Sequence, residues 1–234
     1  DGSAEYLEDL LDIANTSNIT ILPILVGPPL ELDKTPAKDL KEGSYELGKR
    51  MATRFKGRVP IWEVGNELEN YAIIQPCEMR DDGTQYPCEW GPAGGVGPLE
   101  YFKPRWEKVS AILSGLAEGI GHGDKKALRA MGTAGFGHLG AFARMKKDGI
   151  PWEITVWHDY ETVRESYLET LKEYGNPIWI TEFNAGGGGD FVGFGLRFAG
   201  RSGRHRIGKI AGRGGNDAVQ AALAGGDAGI DLPQ

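Results

Sequence analysis

Apolar residues along the chain fall into two alternating rhythms. Over residues 5–14, Leu7, Leu10, Leu11 and Ala14 recur at spacings of three and four, the stripe of an amphipathic helix. The run 19–26 is almost wholly apolar and ends at Gly27-Pro28-Pro29. Such a run suits a strand covered on both faces, as in a parallel sheet packed between helices. The same succession then repeats, with a helix predicted over 37–55 and a strand over 59–67. After a long loop come a helix over 102–119, a strand over 127–132, a helix over 138–147, a strand over 151–160, a helix over 163–174 and a strand over 177–183.

Strands alternating with helices at this spacing call for βαβ units and one parallel sheet. A doubly wound sheet and a (β/α)8 barrel both satisfy the pattern. A dinucleotide-binding doubly wound sheet should carry a G-x-G-x-x-G phosphate loop after a strand, and none occurs before residue 186. The C-terminal strand ends instead carry Glu67, His158, Tyr160 and Glu182, where a (β/α)8 barrel builds its active site. The predicted class is therefore α/β, a TIM barrel.

Composition changes the picture at one end. The 234 residues are 40% hydrophobic and 25% charged with a net charge of −7, a balance that suits a soluble enzyme and argues against a nucleic-acid or anionic-membrane binder. No run is apolar enough to span a membrane. From Gly186 onward the sequence turns to Gly, Arg and Ala without Trp or Tyr. That segment has six basic residues against four acidic ones, net +2, so the remainder is near −9. Two domains follow: an α/β unit over 1–185 and a Gly/Arg/Ala-rich segment over 186–234, expected to be poorly ordered or aberrant. Glycines in the latter weaken any helix by roughly 1 kcal/mol each relative to Ala. The abrupt change beside an intact motif raises the expectation of an altered reading frame after about Gly186. An RGG-like nucleic-acid role for this tail finds little support, because it has no aromatic Trp or Tyr to stack on bases.

Alternate strand residues share a face, which groups Ile61, Glu63, Gly65 and Glu67; Ile154, Val156, His158 and Tyr160; and Ile178, Ile180 and Glu182. If these faces point inward, two carboxylates, an imidazole and a phenol meet at one mouth. Two carboxyl groups flanking a bond are what acetal hydrolysis requires. Glu63, four residues deeper than Glu67, reads as a core-layer residue held by a partner.

The segments IWEVGNE, VWHDY and PIWITEF, with Asn66, Glu67, His158, Tyr160 and Glu182, resemble the fourth, sixth and seventh strand motifs of clan A glycoside hydrolases. These are (β/α)8 retaining enzymes that include family 5 cellulases and mannanases. The resemblance covers roughly residues 1–185. It implies retaining hydrolysis of β-glycosidic bonds, with Glu67 as acid/base, Glu182 as nucleophile and Asn66 as donor to the sugar 2-hydroxyl. His158 and Tyr160 would position Glu182 and the sugar. The run at Ile19 then corresponds to the third strand, so the first two strands are missing and the eighth is missing or degraded. A catalytically incompetent carbohydrate-binding or vestigial fragment is the alternative. The implied partner is a carbohydrate substrate, without nucleic acid, membrane or cofactor.

The loop over 68–99 exceeds the usual length of a structureless connection and is expected over the mouth. Trp90, Tyr71 and Tyr86 on it could stack on sugar faces or pack within the loop. A Cys77–Cys88 bridge would imply an oxidising compartment, secreted or periplasmic, with two free thiols as the other reading. His138 reads as a capping or loop residue, with sugar contact as the alternative. The scattered histidines and the single Cys pair give no metal pattern.

Overall fold

The computed structural model describes residues 2–183 apart from Asn18, Pro29 and 161–163. The expectations for 186–234 lie outside the described residues. The elements run α1 (Gly2–Ser17), β1 (Ile24–Leu25), α2 (Ala37–Arg54), β2 (Ile61–Val64), α3 (Lys103–Gly123), β3 (Leu128–Thr133), α4 (Leu139–Lys147), β4 (Ile154–Asp159), α5 (Glu165–Lys172) and β5 (Ile178–Phe183).

All five strands are parallel and lie side by side in sequence order, β1-β2-β3-β4-β5. A doubly wound sheet reverses direction at a switch point, and no reversal occurs here. The order is that of an arc of a (β/α) barrel. Its two sides are distinct. Ile61, Ala130, Ile154 and Val156 form a small inner cluster, joined by Leu22, Leu128 and Trp179. Trp62, Val64, Met131 and Trp157, on the opposite faces of the same strands, belong to the larger core beneath the helices.

Two strands are shorter than their apolar runs. In 19–26 only Ile24–Leu25 form regular strand, because Pro23 has no N–H to donate; its carbonyl still accepts from the Glu63 N–H at 3.0 Å. β2 stops at Val64, where Gly65 takes φ +76° and turns the chain.

Helices α2 and α3 pack unusually close. Gly115, Gly119 and Gly123 line one side of α3, and a Cβ on Gly119 would lie 2.2 Å from the Tyr45 carbonyl oxygen. Only hydrogen fits there, so the backbones themselves form the contact.

The long loop has structure of its own. It opens in a 3₁₀ turn, Leu68–Ala72, and closes in another, Pro98–Glu100. A disulfide joins Cys77 to Cys88. Arg105 of α3 pairs with Glu78, and Arg144 of α4 with Asp81 at 2.9 Å, so the loop is tied to two helices. Among the described residues no helix is long and apolar enough to cross a membrane.

Candidate active site

The C-terminal ends of β2, β4 and β5 bring together Glu63, Glu67, His158, Tyr160, Thr181 and Glu182. His158, on the inner face of β4, is 1% exposed and stands at the centre. Its Nδ1 lies 2.9 Å from Glu67 Oε1 and 3.5 Å from Glu182 Oε2, and its Nε2 lies 3.2 Å from Glu63 Oε1. A neutral imidazole has one donor and one acceptor nitrogen, whereas the imidazolium donates from both. Carboxylates at both nitrogens therefore select the cation. Burial pulls the His158 pKa down, but the bonds to Glu63 and Glu67 and the charge of Glu182 outweigh it and push it up to about 9.

Glu63 is buried at 2% exposure and also accepts from Thr181 Oγ1 at 3.3 Å. That matches its reading as a core-layer residue held by a partner. Glu67 and Glu182 keep side-chain exposures of 26% and 10%, so both reach the mouth. The Tyr160 hydroxyl donates a short hydrogen bond to Glu182 Oε2. Burial and the adjacent Glu182 carboxylate push the Tyr160 pKa well above that of an ordinary phenol, so the hydroxyl remains a donor.

Two local features put the carboxylates there, and neither is plain alternation. Glu67 follows the end of β2 in the left-handed region, φ 51°, so it arrives through a turn. On β5, Ile178 and Ile180 pack toward the helices while Trp179 joins the inner cluster. The expected shared face of Ile178, Ile180 and Glu182 is thus corrected. Trp157 pairs with Ile180 but His158 pairs with Glu182, leaving Thr181 as an extra residue. That β-bulge resets the phase, so Thr181 reaches Glu63 and Glu182 reaches His158.

Asn66 is exposed beside Glu67 at the mouth. Trp90 is exposed on the long loop, its ring edge-to-face with buried Tyr86 at 5.8 Å. Tyr71 donates to Asp33 at 2.6 Å. His138 starts α4 but makes no side-chain capping bond. It is buried, with Nδ1 2.9 Å from Glu69 Oε1, which also accepts from the Ala134 N–H. The loop role is the one its contacts support. Glu69 and Phe136 did not stand out as site-forming residues in the sequence. The only signal for Phe136 was its setting in Gly135-Phe136-Gly137.

One ligand atom from each of Glu67, His158 and Glu182 lies within 4.8 Å of the others. The His158 nitrogens are hydrogen-bonded to carboxylates on both sides.

No protein-family model and no curated protein matches the chain. Solved structures similar to it include a β-1,4-mannanase from the common sea hare Aplysia kurodai, with 18% identity, TM-score 0.49, and coverage of 77% of this chain and 59% of that one. The GH53 catalytic domain of Ignisphaera aggregans aligns with 12% identity and TM-score 0.48, over 77% and 50%. An endo-1,4-β-mannanase from Eisenia fetida aligns with 14% identity and TM-score 0.47, over 77% and 56%. The chain spans 50–59% of the length of these three structures.

Proposed function

We propose that the protein hydrolyses β-glycosidic bonds with retention of configuration, using Glu67 and Glu182. The observation that carries this reading is their spacing: an oxygen of each lies within 4.8 Å of the other across His158. Retaining glycosidases hold their carboxyl groups about 5–5.5 Å apart, and inverting ones about 6.5–9.5 Å apart to admit a water. An oxygen–oxygen approach within 4.8 Å favours the retaining arrangement.

In the first step a Glu182 oxygen attacks the anomeric carbon while Glu67, protonated through its hydrogen bond from His158 Nδ1, gives that proton to the departing glycosidic oxygen. The C–O bond breaks and a glycosyl ester forms on Glu182. In the second step Glu67, now ionised, takes a proton from water, whose oxygen attacks the same carbon and releases Glu182. Tyr160 holds Glu182 through its hydrogen bond to Oε2 and so fixes the carboxylate's orientation. His158 sets a cation against the carboxylates of Glu63, Glu67 and Glu182. Asn66 is the candidate donor to the sugar 2-hydroxyl. The Cys77–Cys88 bridge favours a secreted or periplasmic setting.

The test is release of p-nitrophenol from p-nitrophenyl β-glycosides, with product configuration followed by NMR. Glu182→Gln should lower kcat by about a thousandfold or more while the melting curve is kept. An inverted product would overturn the double displacement. Sugar binding without turnover in the unaltered protein would support the binding-only alternative.

A further inference from the structure

We propose that Phe136 is the stacking platform for one pyranose ring of a β-linked oligosaccharide bound at the Glu67–Glu182 mouth. This rests on the glycosidase reading and names the contact that would hold the sugar chain beside the reacting bond.

Phe136 lies in the link between β3 and α4 and is 57% exposed. Its φ is +50°, between Gly135 at +78° and Gly137 at +100°. A large side chain in the left-handed region is costly, and exposure returns little of that cost through burial. The flanking glycines have a packing reason. A Cβ on Gly135 would lie 1.9 Å from the His158 carbonyl oxygen, and one on Gly137 would lie 3.3 Å from both the Tyr167 hydroxyl and Val96.

The link is held at both ends. The Ala134 N–H donates to the Glu69 carboxylate, the His138 N–H to Gly135 O at 2.8 Å, and the Gly140 N–H to Gly95 O at 2.9 Å. The exposed ring therefore sits on an anchored support. Its plane is 12° from that of Tyr160 with centroids 6.4 Å apart, an offset-parallel arrangement. Tyr160 in turn donates to Glu182, so the Phe136 ring extends the wall that holds the nucleophile.

A pyranose with equatorial hydroxyls presents C–H groups on its face and hydroxyls at its rim. An aromatic ring without a polar tip takes the face and leaves the rim to other donors or to water. Phe136 has that chemistry. Val96, exposed at 51% and close to Gly137, extends the apolar surface alongside.

The experiment compares the unaltered protein with Phe136→Asn and Phe136→Trp on β-1,4-linked hexaoses of mannose, glucose and xylose. Asn tolerates the left-handed backbone, so the link keeps its course. On the hexaose that is cleaved, Phe136→Asn should raise KM about five- to twentyfold, the scale of losing one stacked ring, with most of the loss in kcat/KM carried by KM. Phe136→Trp should bring KM back to within about twofold of the unaltered protein. The same rise should appear in the hexaose Kd of the Glu182→Gln protein. Equal KM and Kd with and without the Phe136 ring would overturn the platform while leaving the glycosidase reading intact. A protein that neither binds nor cleaves any of the three hexaoses overturns both.

Discussion

His158 and His138 are both buried, and each is bonded to a glutamate from the segment just after β2, Glu67 and Glu69 respectively. Their settings differ in charge. Around His158 three carboxylates converge, two of them reaching the mouth. Around His138, Glu69 is the carboxylate that pairs with the ring among the described residues, and the other oxygen of Glu69, Oε2, is buried without a hydrogen-bond partner among them. The first arrangement gathers carboxylates around one imidazolium, two of them partly exposed. The second fastens the β3–α4 link to the turn after β2. A histidine beside a glutamate is thus no signature of catalysis; the number and exposure of the carboxylates distinguish the proposed site from the fastening.

Removing each imidazole tests that contrast, and the largest effect belongs to His158. His158→Ala leaves buried carboxylates without their cation and should destabilise the fold by about 3–5 kcal/mol in urea unfolding. His138→Ala leaves Glu69 with the Ala134 N–H but without its ring partner and should cost about 1–3 kcal/mol, with kcat reduced less than tenfold. Equal losses of stability and activity from the two variants would remove the distinction.

Acidity sharpens it further. The His158 pKa is raised from its ordinary value of 6.5 to about 9 in the fold. A raised pKa stabilises the folded state fully below the unfolded value, and that contribution disappears as pH rises through the folded value. Unfolding free energy should therefore fall between about pH 6.5 and 9, by an amount on the order of 1–3 kcal/mol. The fall should persist in His138→Ala and vanish in His158→Ala; its persistence in the latter would assign it to other groups.

The smallest effect is expected at the surface. Lys41 and Glu118 pair at 2.9 Å between α2 and α3, but both side chains are more than two-fifths exposed. Lys41→Ala should change stability by less than about 1 kcal/mol, and less again in high salt. A larger loss would show that exposure is a poor guide to the worth of these ion pairs.

Much of the fold was legible in the pattern of apolar residues. Each predicted helix and strand over 5–183 has a counterpart among the described elements, because a periodicity of two or of three to four is a local property of the chain. Boundaries were less legible. The run 19–26 reads as one long strand, yet Pro23 withholds an N–H and leaves two residues of regular pairing. For the site, the segments around Glu67, His158 and Glu182 were visible as motifs. Their convergence rests on the left-handed turn at Glu67 and the extra residue at Thr181, which simple alternation does not encode.

The sequence by itself determined the alternation of elements and which chemically active residues stand at strand ends. Only the tertiary structure decided that His158 takes carboxylates on both ring nitrogens, that His138 is spent on holding a link, and that Phe136 stands exposed beside Tyr160. The reason is physical. Periodicity is set by neighbours three or four residues apart, whereas a buried charge takes its state from groups some ninety or more residues away, such as Glu63 and Glu67 around His158.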